Sequence, residues 1–107
     1  MFRKKSDEGY RPAIDKIEMK VLVHGEKTLM SEFRLQKGAQ LPRHSHPHEQ
    51  TGYLVSGALE LIIGTATYSV GAGDSWCIPA NVEHQASCLE ASVAIEVFSP
   101  PREDYLT

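Results

Sequence analysis

The sequence predicts an all-β, single-domain sandwich or barrel, and three observations carry that expectation. Apolar and polar residues alternate with a period of two through one stretch after another, and helical periodicity is nearly absent. The alternating runs are short, recur at roughly eight-to-twelve-residue spacing, and are separated by turn residues. The chain of 107 residues is just long enough for one core that buries somewhat over ~60% of its accessible surface. No repeat, low-complexity tract or internal boundary divides it.

Met1 to Gly9 is polar and charged, so residues 1–10 are expected to form a flexible N-terminus ahead of a domain spanning 11–107. Arg11-Pro12-Ala13-Ile14 reads as an extended arm, and Ile17 to Val23 alternates as a half-buried strand. His24-Gly25-Glu26-Lys27 is a turn in which His24 is solvated, and Thr28 to Leu35 alternates again through Leu29, Ser31, Phe33 and Leu35. Gly38 to Pro42 leads into a histidine cluster. Thr51 to Val55 is the next strand, with Ser56-Gly57 as the turn after it.

Ala58 to Ile63 and Ala66 to Val70 flank Gly64-Thr65, the signature of a tight hairpin. Gly71 to Asp74 is a turn leading to Ser75-Trp76-Cys77-Ile78. Pro79-Ala80-Asn81 turns because proline has no N–H to give a central ladder. Glu83 to Cys88 and Ser92 to Phe98 are the last strands. Ser99-Pro100-Pro101 stops pairing and leaves Arg102 to Leu106 as an ordered tail or short helical turn. A small barrel exposes strand edges, and the Arg11 to Val23 segment is expected to cover one by pairing with a neighbouring subunit, giving a homodimer.

Composition excludes several functions. The formal net charge is −3 and the one basic cluster is Arg3-Lys4-Lys5, a poor match for nucleic acid, whose binding rests on phosphate neutralisation. No apolar run approaches the ~18 residues that span a bilayer. The basic residues at the start are followed by no apolar stretch of the kind a secretion signal carries, so export is not expected. Cys77 and Cys88 form no disulfide framework. They read as small buried hydrophobes in a reducing, cytoplasmic setting.

The chemistry concentrates in Arg43-His44-Ser45-His46-Pro47-His48-Glu49-Gln50. Imidazole nitrogen is a favoured ligand of divalent transition metals near neutral pH. On an extended backbone His44, His46 and Gln50 share a parity and point at one spot, and His84, much later in the chain, is placed to complete the set. Ni, Fe, Mn, Co, Cu and Zn all suit such donors. Neutral nitrogens and a neutral oxygen leave a bound ion its Lewis acidity toward a carboxylate, carbonyl or water. His48 has the same parity and stands as the alternative to Gln50, although Pro47 breaks the local strand. Trp76, Tyr53 and Tyr68 are core or pocket wall.

The spacing around these histidines resembles the cupin superfamily. Its first motif falls on Gly38, His44, His46, Gln50 and Gly57, with Gln50 where glutamate is commoner. Its second falls on Gly73, Pro79, Asn81 and His84, with Asn81 at a usual glycine and Cys88 at a usual asparagine. The resemblance implies a jelly-roll β-barrel with a divalent metal on His44, His46, His84 and Gln50.

Most of the chain further resembles the KdgF type of pectin-degradation proteins. The likeness runs through residues 44–53, Ile78-Pro79-Ala80-Asn81-Val82-Glu83-His84, and Glu96 to Leu106. That family converts 4,5-unsaturated uronic acid monomers from pectin or alginate to linear keto-uronates. The resemblance implies catalytic roles for Glu96, Phe98 and Arg102, with Glu96 standing where the family has aspartate. An arginine fork suits the carboxylate of a small sugar acid, and a carboxyl near the metal suits the proton transfer of ketonisation. The plainer alternative is strand alternation for Glu96 and Phe98, and an ion pair with Glu103 or Asp104 for Arg102. The same scaffold also admits a metal-dependent dioxygenase or lyase, or a cupin that binds metal or a sugar acid without turnover.

Overall fold

The computed structural model describes residues 1–107 and is built almost wholly of antiparallel strands. In chain order these are β1 (Arg11–Ile14), β2 (Ile17–His24), β3 (Leu29–Leu35), β4 (Gln40–His44), β5 (Glu49–Ile63), β6 (Ala66–Gly71), β7 (Ser75–Ile78) and β8 (His84–Ser99), followed by a 3-10 turn at Glu103–Tyr105. No helix is long and apolar enough to cross a membrane. The order is β1-β2-β3-β8-β5-β6, with β4 also on β8 and β7 also on β5.

Two long strands organise everything else. β5 and β8 pair from Glu49↔Ser99 to Ile63↔His84. The C-terminal half of β8 lies between β3 and β5, and its N-terminal half lies between β4 and β5. The pair therefore contributes one half to each side of the jelly roll. The sequence suggests separate strands at 51–55 and 58–63, and at 83–88 and 92–98; each pair is instead one bent strand.

Ser56-Gly57 bends β5 without reversing it. The inward residues of β5 are Gln50, Gly52 and Leu54 before the bend, and Leu59 and Leu61 after it. An even-to-odd change of phase needs an extra residue, and the register shifts between Leu54 and Leu59 supply it. Gly57 takes φ +99, and a Cβ there would lie 2.1 Å from Ser92 Oγ. The crossing of the two long strands thus requires glycine.

The core joins Ile17, Leu54, Leu59, Leu61, Val70, Ala86, Cys88 and Ala94. Cys88 is buried as expected, but Cys77 is exposed, because β7 turns Trp76 and Ile78 inward and Cys77 outward. Arg11–Ile14 pairs with β2 of its own chain, Pro12 opposite Glu18. This leaves the outer side of β1, where proline is tolerated, as the edge of the sheet. The Gly64-Thr65 hairpin joins β5 to β6 as expected, with Ile63 opposite Ala66.

Candidate metal centre

His44 and His84 are direct neighbours across β4 and β8. His46 lies in the loop between β4 and β5, and Gln50 is near the start of β5, opposite Ile78 and Phe98. The ligand atoms of His44, His46 and His84 lie within 4.8 Å of one another. Their ring centroids are 4.2 to 5.7 Å apart. Strand pairing and a pinned loop bring them together, not the parity of a single strand as the sequence suggests. The pin is Asn81, whose N–H donates to the His46 carbonyl at 2.8 Å. Asn81 has φ 66; asparagine is among the few residues that adopt this conformation readily, so it can stand in a glycine position.

Each imidazole is oriented the same way. Nδ1 of His44 lies 2.8 Å from the Pro42 carbonyl, Nδ1 of His46 3.0 Å from the His48 carbonyl, and Nδ1 of His84 2.9 Å from the Val82 carbonyl. A carbonyl only accepts, so each Nδ1 carries the proton and each Nε2 presents a lone pair. His84 Nε2 is buried with no hydrogen-bond partner, an arrangement that costs energy unless a cation answers it. His46 Nε2 faces Gln50 Oε1 at 3.0 Å. Gln50 Nε2 donates to Glu96 Oε2 at 2.8 Å, which turns Oε1 toward the histidines. Two acceptors therefore meet at one point, and the donor set fits a shared divalent ion. His48 is outside the group whose ligand atoms converge, which holds His44, His46 and His84, and its backbone carbonyl orients His46.

Electrostatics favour the same state. Burial holds His84 down at about 4, the Val82 carbonyl opposing and His44, His46 and Arg102 adding to the depression. Burial, then Arg102, lowers His46 as well. Both rings are neutral at pH 7 and able to ligate. Burial pushes Glu96 the other way, up to about 8, against the hydrogen bonds it accepts from Gln50 and the Trp76 indole. Glu96 is thus a buried acid with a raised pKa, joined to the histidine cluster through one amide.

The cluster opens on a cavity of about 570 Å³ with an apolar body, lined by Ile17, Met19, Phe33, Leu59 and Leu61 among others. Its polar end holds His44, Gln50, His84, Glu96 and Arg102. Glu96 and Phe98 share the inner face of β8, as the alternation predicts. Arg102 returns to the cavity after the Ser-Pro-Pro turn, its guanidinium 5.1 Å from the Phe98 ring centroid and 4.2 Å from that of Tyr105. It also forms the ion pair that the plainer reading foresees, with Asp104.

Tyr105 and Arg11 escape the sequence reading, whereas Trp76 is the pocket wall it allows for. Trp76 is inner wall and partner of Glu96, while Tyr53 and Tyr68 are half exposed. The available signal is Gly52, directly opposite Trp76, since glycine within a strand marks a close approach. Tyr105 packs edge-on against Phe98 with centroids 5.5 Å apart. Arg11 donates to the carbonyls of Tyr105 and Thr107, both at 2.9 Å, fastening the C-terminal tail beside the cavity. Neither contact has a local signature in the sequence.

Comparison with known proteins agrees with this architecture. The family model described as "Cupin domain" matches residues 31–98. The pectin degradation protein KdgF of Dickeya dadantii (strain 3937) is 32% identical over 94 residues, 86% of either chain. The structure of KdgF from Halomonas sp. superposes with a TM-score of 0.87 at 29% identity, covering 92% of this chain and 91% of that one. An RmlC-like cupin from Shewanella frigidimarina NCIMB 400 reaches a TM-score of 0.92 at 27% identity, covering 97% and 94%.

Proposed function

The chain belongs to the cupin superfamily, on its KdgF-type side, and from that premise we propose that it converts 4,5-unsaturated uronic acid monomers to linear keto-uronates in a metal-dependent reaction. His44, His46, His84 and Gln50 hold a divalent transition ion. Such an ion, when bound, supplies a Lewis-acidic anchor for substrate oxygen. The observation that carries the reading is the placement of Glu96: buried, and tied through Gln50 to the histidine cluster.

A 4,5-unsaturated uronate becomes an enol when its ring opens, and the enol becomes a ketone by gaining a proton on carbon and losing one from oxygen. Glu96 is the residue that moves this proton; a carboxyl group with a pKa near the working pH suits the task. Arg102 pairs with the substrate carboxylate, a match of planar fork to planar acid. Phe98 and Tyr105 hold Arg102 by stacking, and Trp76 lies against the carboxyl of Glu96.

The test is direct. Metal-loaded protein is incubated with unsaturated galacturonate or guluronate, and loss of the double-bond absorbance is followed. Loss that Glu96→Gln abolishes supports the assignment; unchanged absorbance with the metal-loaded protein counters it.

A further inference from the structure

Arg102 meets the cavity with its charge already answered. Its Nε lies 3.2 Å from Asp104 Oδ1 and its Nη2 2.9 Å from Asp104 Oδ2, a two-point grip of the kind an acidic guest would make. The two partners are held very differently. The Arg102 side chain is 16% exposed, stacked on Phe98 and Tyr105, whereas that of Asp104 is 58% exposed. Arg11 fixes the carbonyls of Tyr105 and Thr107, so the backbone around Asp104 is held and its side chain is the part free to turn away.

We propose that Asp104 is an in-chain competitor for the arginine: a carboxylate that occupies the Arg102 fork in the empty site and that a guest acid must displace or sit beside. This rests on the reading of Arg102 as the carboxylate anchor. In either geometry the guest meets the negative charge of Asp104, so the residue weakens binding of every acid. A guest that gains contacts elsewhere in the cavity overcomes this, and a simple carboxylate without such contacts does not. Asp104 therefore sets the threshold between sugar acids and the small acids that would otherwise fill the fork.

The test uses the full chain loaded with metal, with D-galacturonate as probe and D-galactose as its uncharged counterpart. Binding is measured by calorimetry and by the emission of Trp76, the one tryptophan of the chain. Asp104→Asn keeps the size of the side chain and removes its charge. It is expected to tighten galacturonate binding roughly three- to fivefold, the range of an exposed ion pair, and to leave galactose unaffected. The gain should vanish when Asp104→Asn is added to Arg102→Gln. Wild-type binding of galacturonate that Asp104→Asn leaves unchanged or weakens overturns the proposal while the anchor reading stands. Binding that Arg102→Gln does not reduce overturns the anchor reading itself, as does absence of binding by wild type and Asp104→Asn alike.

Discussion

Gln50 donates to Glu96 Oε2 at 2.8 Å while its own Oε1 faces His46 at 3.0 Å, so one amide orients both the histidine cluster and the buried acid. A carboxylate in its place offers no donor to Glu96. Gln50→Glu is therefore expected to bind a divalent ion at least as tightly, through its added charge, and to lose turnover on the order of 10²-fold, because a carboxylate at position 50 takes the Glu96 proton into a hydrogen bond and withholds it from the substrate. Metal affinity and rate measured on the same preparation check this.

Glu96→Asp restores the residue usual in the KdgF type but withdraws the carboxyl by on the order of an ångström. Gln50 and Trp76 are set for the longer side chain, so turnover should fall roughly ten- to a hundredfold. Metal content should be unchanged. A rate equal to or above that of the parent would show that length at this position is not tuned.

The metal-free protein should lose stability as pH rises from about 6.5 to 8. Glu96 holds its proton in the folded state up to about 8, whereas unfolded glutamate releases it near ~4.5. Stability from this group is full below the unfolded value and lost as pH rises through the folded one. His84 works oppositely, since its folded pKa of about 4 costs stability only as pH falls below ~6.5. The upper window therefore isolates Glu96. The expected loss is about 2 kcal/mol across it, read as melting temperature against pH, and Glu96→Gln should flatten the curve.

Gly52→Ala places a Cβ 2.1 Å from Trp76 Cε2. The indole must leave its seat, and a destabilisation of about 1–3 kcal/mol is expected from overpacking. Denaturant unfolding gives the stability, and a shift in the emission of Trp76 reports the displaced ring. Wild-type stability and emission would mean that the wall tolerates the methyl group.

The sequence carries the fold class because alternation and turn residues act locally, and each half of β5 and β8 is readable in this way. Their continuity is not, because a glycine bend and a turn look alike until the partner strand is known. Gly57 faces Ser92 and Ala91 only after β8 has folded against it. The ligand residues are legible in the spacing of His44, His46 and Gln50, but their convergence depends on the His44↔His84 register, which no local pattern encodes. Tyr105 and Arg11 go unrecognised for the same reason, since their contact joins the two ends of the chain.

The central claim is that three neutral imidazoles and an amide oxygen share one cation, and metal content measures it most directly. Protein purified without a histidine tag, stripped and reloaded, should bind one divalent transition ion per chain. His84→Ala, which removes the buried Nε2 that has no other partner, should lower the affinity at least about 100-fold, since a ligand itself matters no less than the groups that orient it. Full stoichiometry and unchanged affinity in that variant would contradict the account.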